Sequence, residues 1–334
     1  MKILFNCTLP FALAHGGQAI QIQQTMAALQ DLGATVEPLR WWDESQTGDL
    51  IHYFGQMSAD QIRFAQQKGI KVILANLFTA ACNHTDFKLQ RNGWIISALR
   101  GLPLGRRLYQ DLGLNSFAIC DQNIVGLEAE RRVLELKYHL PREKTTVVPL
   151  GLEKVFLNAQ PGDRSGNHLV CAGTITQRKN CIPLAQLALK ARVPVLFVGK
   201  PYSEKDPYWI EFSRLIDGNW VQYQSHVADP AGMVALLQRS RAAVVMSQYE
   251  NWCFTAHEAA ACGLPVLLPP MRWAYERFGN QARYLKNVAF NQDNIEILRQ
   301  FYADARELPV PAIKLFSWQD VAIQLQAVYT RVLK

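Results

Sequence analysis

Short apolar runs alternate with longer segments whose apolar positions recur at helical spacing, from one end of the chain to the other. In the first half, residues 3–6, 50–53, 72–75, 117–120 and 145–148 read as strands. Residues 18–32, 61–67 and 123–138 read as helices, the first with Ile22, Met26 and Leu29 on one face. The pattern restarts with strands at 168–172, 193–198, 221–223, 242–246 and 266–268, separated by helices at 182–191, 208–216 and 233–238. Strictly alternating strands and helices predict an α/β protein with doubly wound parallel sheets. A join is expected in 151–166, where Asn158, Pro161, Gly162, Asp163, Ser165 and Gly166 cluster. That gives a domain over 1–155 and another over 156–316. A closing helix with Ser317 as its cap runs to residue 333.

Composition narrows the class. The chain has 334 residues, 49% of them apolar and 19% charged, enough for two ordinary cores. No uninterrupted apolar run approaches the roughly 18 residues of a membrane span. The start, Met1-Lys-Ile-Leu-Phe-Asn-Cys7, is too short in its apolar part for a signal peptide and reads as a strand. Seven cysteines without a C-x-x-C pair predict a reduced, cytoplasmic protein with neither a disulfide framework nor a zinc site. The net charge of +7 favours anionic partners without choosing among them. Nucleic acid is disfavoured, since no basic stripe with interleaved aromatics and no nucleic-acid-binding signature is present.

Chemistry concentrates in residues 247–266, Ser-Gln-Tyr-Glu-Asn-Trp-Cys-Phe-Thr-Ala-His-Glu-Ala-Ala-Ala-Cys-Gly-Leu-Pro-Val. Glu250 and Glu258 follow a buried strand, one in the loop and one expected in the first turn of the next helix. The carboxyl rim of a parallel sheet is where such folds bind ligands, and helix-start amides there favour an anion. Blander readings exist: Thr255-x-x-Glu258 has the form of a capping box, and a loop glutamate is usually only solvated. Residues 171–180, Cys-Ala-Gly-Thr-Ile-Thr-Gln-Arg-Lys-Asn, put a glycine turn and two cations between a strand and a helix. Arg178 can bind two oxygens of a diphosphate, and Lys179 adds a compact charge. In His15-Gly16-Gly17-Gln18, two glycines after the first strand allow close backbone approach, but they do not form a G-x-G-x-x-G dinucleotide fingerprint.

Together these segments resemble the retaining glycosyltransferases of the GT-B fold, in the large family four, which carries an E-x7-E element. The resemblance covers almost the whole chain and is most specific in its second half. It implies two Rossmann-like domains with a cleft between them, the N-terminal one for the acceptor and the C-terminal one for a nucleotide sugar. The closing helix, 317–334, would pack back on the first domain. By the same resemblance Glu258 holds the ribose hydroxyls and Glu250 lies by the transferred sugar. The amides of Cys253 and Phe254, with Thr255, lie near the phosphates. Arg178 and Lys179, beside Gly173 and Thr174, take the diphosphate. Gly16 and Gly17 face the donor phosphates, and His84 lies near the reacting sugar. The chain departs from the family at Cys253, where glycine is usual, at Thr174, where arginine is common, and at Leu150, where asparagine is usual. Residues 147–153, ending in Glu153, correspond to the crossover and read as architecture, while 220–226 correspond to the region approaching the base.

The implied reaction moves a sugar from a nucleoside diphosphate sugar to an acceptor hydroxyl with retention of configuration. No cofactor or metal is expected, because Arg178 and Lys179 already neutralise the diphosphate and no Asp-x-Asp is present. A catalytically silent sugar-nucleotide-binding module and a sugar-nucleotide epimerase remain alternatives, and a dehydrogenase is disfavoured. Finally, residues 88–107 hold Lys88, Arg91, Arg100, Arg106 and Arg107 without an acid, beside Trp94, Ile95, Ile96, Leu99 and Leu102. This composition suits peripheral contact with an anionic membrane, or an ordinary helix with a basic outer side.

Overall fold

The apolar runs build two all-parallel sheets of six strands each. The computed structural model describes residues 1–7 and 16–334, without the side chains of Arg106 and Asp111. Two units are distinguished: Met1–Gly151 together with Trp318–Lys334, and Leu152–Ser317.

Unit 1 runs β1 (Lys2–Cys7), α1 (Gly17–Asp31), β2 (Thr35–Pro38), β3 (Leu50–Phe54), α2 (Ala59–Gln67) and β4 (Lys71–Ala75). It continues with α3 (Asp86–Gly101), α4 (Pro103–Asp111), α5 (Ser116–Ile119), β5 (Gln122–Val125), α6 (Glu128–Lys137) and β6 (Thr145–Val147). Its strand order is β2-β1-β3-β4-β5-β6. β3 is buried along its whole length, as a central parallel strand covered on both faces must be. Leu4, Ile51, Val72, Leu74, Phe117 and Leu134 meet in one core.

The strand expected at 117–120 is not one. Ser116–Ile119 is a helical turn packed against α2, and the sheet takes Gln122–Val125 instead. Tertiary hydrogen bonding decides this. Asn123 is fully buried yet paired: its Nδ2 donates to Phe117 O at 2.7 Å, and its Oδ1 accepts from Asn76 Nδ2 at 3.0 Å. Gln122 Nε2 donates to Glu143 O at 3.0 Å. Satisfied polar groups thus occupy a strand, which a hydrophobic pattern passes over. The helix expected over 123–138 shortens to Glu128–Lys137 accordingly.

Unit 2 runs α7 (Lys154–Leu157), β7 (Leu169–Ala172), α8 (Cys181–Ala191), β8 (Val195–Val198), α9 (Pro207–Ser213), β9 (Val221–Gln224) and α10 (Pro230–Gln238). Then come β10 (Ala242–Val244), α11 (Phe254–Ala261), β11 (Val266–Leu268), α12 (Arg272–Phe278), β12 (Arg283–Tyr284) and α13 (Gln292–Asp304). Its order is β12-β11-β10-β7-β8-β9. The chain lays β7, β8 and β9 outward in one direction, then crosses back to put β10 on the other side of β7. That reversal is a topological switch point, and the loops leaving β7 and β10 part there. Leu169, Val195, Phe197, Ala242, Val244 and Leu267 form the heart of the core, with α8 and α13 over it. The two segments that bound the unit pair with each other, Leu152 N donating to Phe316 O at 2.8 Å. The closing helix, α14 (Trp318–Leu333), belongs to unit 1 and packs on α1.

Candidate active site

At the switch point of unit 2 the β7 loop carries Gly173–Asn180 in sequence and the β10 loop carries Ser247–Cys253. β7 and β10 are hydrogen-bonded neighbours, Ala243 opposite Val170, so both loops leave the same rim. Backbone stitches them: Gln248 N donates to Arg178 O at 2.8 Å. A 3-10 turn over Gln177–Lys179, with Thr176 Oγ1 accepting from Lys179 N at 3.4 Å, turns both cations toward the β10 loop. Asn180 closes the turn in the left-handed region, its Nδ2 donating to Val288 O at 2.8 Å.

Glu250 is the centre of the cluster. Its Oε1 accepts from Arg178 Nη1 at 2.8 Å and from Lys179 Nζ. Arg178 also donates to Tyr249 O at 3.3 Å. Burial pushes the Glu250 carboxyl up, but the adjacent Lys179 and Arg178 charges and their hydrogen bonds more than offset it, so the group is held below its usual range. Lys179 moves the complementary way: burial lowers its pKa, Glu250 raises it, and the net direction is up. Glu250 and Lys179 therefore stay charged at neutral pH, with the Arg178 guanidinium, about one-third exposed, on the carboxylate's other side.

α11 begins beside them. Its first residue is Phe254 and its N-cap is Cys253, a non-glycine residue at φ 60°, ψ 79°. The left-handed turn explains why glycine suits this position, and here a buried cysteine holds it instead. No side chain caps the helix. The blander capping-box reading of Thr255-x-x-Glu258 does not hold: Thr255 lies inside the helix, and its Oγ1 donates to Ala172 O at 3.1 Å, tying α11 to the end of β7. Glu258 accordingly falls in the second turn, not the first. Burial, with Glu153 as a like charge, raises its carboxyl to about 7, against a smaller lowering by Lys179. Glu153, read from sequence as architecture, sits at the N-cap of α7 and is itself raised by burial.

Gly173 and Thr174 form the floor of the β7 loop, with Gly173 N donating to Val198 O at 2.9 Å. Gly173 has φ 146°, and the neighbouring Gly199 approaches so closely that a Cβ there would stand 2.0 Å from Gly173 O. Behind the loop lies a small cavity bordered by Cys171, Cys181, Cys253, Lys179 and Ser247.

Sequence reasoning passed over the brace beneath Glu250. The Trp252 and His257 rings stack at 4.5 Å with 2° between their planes, and the Arg277 guanidinium lies over Trp252 at 4.7 Å. Burial drops His257 to about 3, so the ring is neutral. Its Nδ1 donates to Cys253 O at 3.0 Å and its Nε2 accepts from Arg277 Nε at 3.3 Å. Arg277 Nη2 reaches Lys314 O at 2.6 Å. One histidine thus holds the carbonyl of the left-handed turn and is fixed in its tautomer by an arginine. The motif's own histidine was the available signal, but its partner 20 positions on could be found only in three dimensions.

The remaining candidates belong to unit 1. Gly16, at φ 136°, is the N-cap of α1, and Gly17 is its first residue. His15 lies outside the described residues. His84 follows a 3-10 turn after β4; its Nε2 meets Lys88 Nζ at 3.0 Å, and burial with Lys88 and Lys137 lowers its pKa. No group of three or more His, Cys, Asp or Glu side chains suited to a metal occurs among the described residues.

Comparison with solved structures identifies the architecture. The chain is similar to HepE of Anabaena in complex with UDP and glucose, with 14% identity, a TM-score of 0.68 and 99% of each chain covered. It is similar to sucrose-phosphate synthase of Thermosynechococcus elongatus, with 17% identity, a TM-score of 0.64 and 99% of each chain covered. A glycosyltransferase of Rickettsia africae matches at 14% identity and a TM-score of 0.65, over 100% of this chain and 98% of the other. No protein-family model and no curated protein matches the sequence. The fold is the GT-B fold of glycosyltransferases, two parallel six-stranded sheets with flanking helices.

Proposed function

We propose that the chain is a retaining, metal-independent glycosyltransferase of family four, moving a sugar from a nucleoside diphosphate sugar to an acceptor hydroxyl in glycan, glycolipid or glycoconjugate synthesis. The observation that carries this reading is the convergence of Arg178 and Lys179 on Glu250 at the switch point, beside the start of α11. HepE, with the same fold, was solved with UDP-glucose, which supports a nucleotide sugar as the ligand here.

Breaking the bond from the anomeric carbon to the diphosphate builds positive charge on the sugar and negative charge on the leaving phosphates. Arg178, Lys179 and the first amides of α11 stabilise the phosphates, a task that fixed cations perform without a metal. Glu258 holds the ribose hydroxyls. Glu250, kept ionised by its two partners, stands by the donor sugar and favours oxocarbenium character. Attack from the leaving group's own face retains configuration, a phosphate oxygen taking the acceptor proton. Gly16 and Gly17 are assigned to the donor phosphates, and His84 to the neighbourhood of the reacting sugar. Seven cysteines with no C-x-x-C pair support a reducing, cytoplasmic setting.

The test is nucleotide release across UDP, GDP and ADP sugars, with EDTA, with and without hydroxyl acceptors. Liberation of one nucleotide that survives EDTA is expected. Binding of a donor with no turnover under any acceptor favours the silent binding module, and failure of every nucleotide sugar to bind overturns the donor site itself.

A further inference from the structure

In unit 1, α3 packs on α6. Leu89 is fully buried, and Gly93 lies so close to α6 that a Cβ would stand 2.5 Å from Leu136 O. The rest of the helix turns large apolar side chains outward: Phe87 and Trp94 are 69% and 66% exposed, and Ile95 and Leu99 are exposed with them. Phe87, Arg91, Trp94 and Ile95 share one face by their spacing. α4 packs on α3 and repeats the arrangement. Its Tyr109 turns inward, while Leu104, 80% exposed, Leu108 and the following Leu112 recur every fourth residue on the outside. Leu102, between the helices, is exposed as well.

This apolar surface is accompanied by one sign of charge. Lys88, Arg91, Arg100 and Arg107 are exposed, none forms an ion pair among the described residues, and the sequence from 88 to 107 contains no acid. At the junction of the two helices lies a polar cavity of about 460 Å³, lined by Ser97, Arg100, Gly101, Tyr109, Gln110 and Asn115. The Arg100 guanidinium is stacked over the Tyr109 ring at 4.5 Å, which fixes its plane and leaves its donors free for an anion.

We propose that the α3–α4 face docks on an anionic lipid bilayer, with Arg100 and its cavity taking the phosphate of a lipid headgroup. Exposed leucines and an indole on two short adjacent helices suit the boundary between headgroups and acyl chains. A monomer rarely leaves such a continuous apolar patch to water. The acid-free basic stretch from 88 to 107, between Asp86 and Asp111, matches an anionic surface better than a protein partner, whose interface would ordinarily answer with both signs throughout. The proposal concerns unit 1 and stands independently of the donor site in unit 2.

Flotation with vesicles of phosphatidylcholine alone, or mixed with phosphatidylglycerol, tests it. The protein should float with the mixed vesicles and bind at least about tenfold less to phosphatidylcholine or in molar salt. Leu104→Ser with Leu108→Ser, and separately Trp94→Ser, should each cut partitioning about tenfold while the melting curve stays put, since these side chains are exposed. Arg100→Gln should remove part of the phosphatidylglycerol dependence and leave the phosphatidylcholine baseline unchanged. No vesicle binding, or binding indifferent to the leucine substitutions, overturns the proposal. So does a dimer in sedimentation velocity that the leucine pair dissolves, which would make the face a contact with a second copy.

Discussion

At the scale of single residues, the candidate site is a balance of buried charge. Glu250 is 6% exposed and would be costly to ionise alone; Arg178 and Lys179 hold it in the charged form. Glu250→Gln should therefore lower kcat by about 100-fold or more while changing donor affinity only a few-fold, measured by steady-state kinetics beside calorimetric binding. Unchanged turnover would remove Glu250 from the mechanism. Glu258 behaves oppositely. Its folded pKa of about 7 lies above the unfolded value of 4.5, so between these pH values the folded state keeps a proton that the unfolded chain has released. Its contribution to stability therefore falls as pH rises from 4.5 to 7. Glu258→Gln should melt with the natural protein at pH 4 and several degrees above it at pH 8, the rise from 4.5 to about 7 being worth up to about 3 kcal/mol. A constant offset at both pH values would count against a proton held at Glu258. Cys253 allows a third check. Cys253→Gly should be nearly neutral in thermal unfolding, since relief of the left-handed turn offsets lost packing. Cys253→Val should cost about 1–2 kcal/mol.

At the scale of elements, the site depends on two loops leaving adjacent parallel strands, and the close approach of the β7 and β8 ends sets their position. Gly199→Ala would put a methyl 2.0 Å from Gly173 O at a φ of 151°. That change should destabilise unit 2 by at least about 2 kcal/mol and weaken donor binding with it, read by denaturant unfolding and titration calorimetry. This level also shows what the sequence makes legible. The β7 and β10 loops could be found because strand, glycine turn, cations and glutamates follow one another locally, and local order survives folding. β5 could not, because Gln122 and Asn123 are polar by composition and acceptable in a strand only through partners at Phe117, Asn76 and Glu143. The first turn of α11 was misplaced for a similar reason: Thr255 prefers the carbonyl of Ala172 to the amides of its own helix. The His257–Arg277 brace joins two helices and leaves no trace in either segment alone.

At the scale of the whole molecule, unit 1 is built from both sides of unit 2. α14 buries Val321, Leu325, Val328 and Tyr329. Tyr329 Oη meets His52 Nδ1 at 2.5 Å, and burial drops that histidine to about 3, so it stays neutral. Each large side chain so buried stabilises by about 1.5–3 kcal/mol, and a domain's whole margin is about 5–15. A chain ending at Ser317 should lose the melting transition of unit 1 and keep that of unit 2, as followed by calorimetry; survival of both would show that α14 is dispensable. The same connectivity orders events during synthesis. Unit 1 emerges from the ribosome first, yet α1 must wait for a helix encoded after all of Leu152–Ser317. At about 5–20 residues per second the roughly 300 residues between them take about 15–60 seconds, time enough for unit 2 to complete itself. The half of the protein that is made first is finished last, and its uncovered α1 face is the surface a chaperone would meet on the nascent chain.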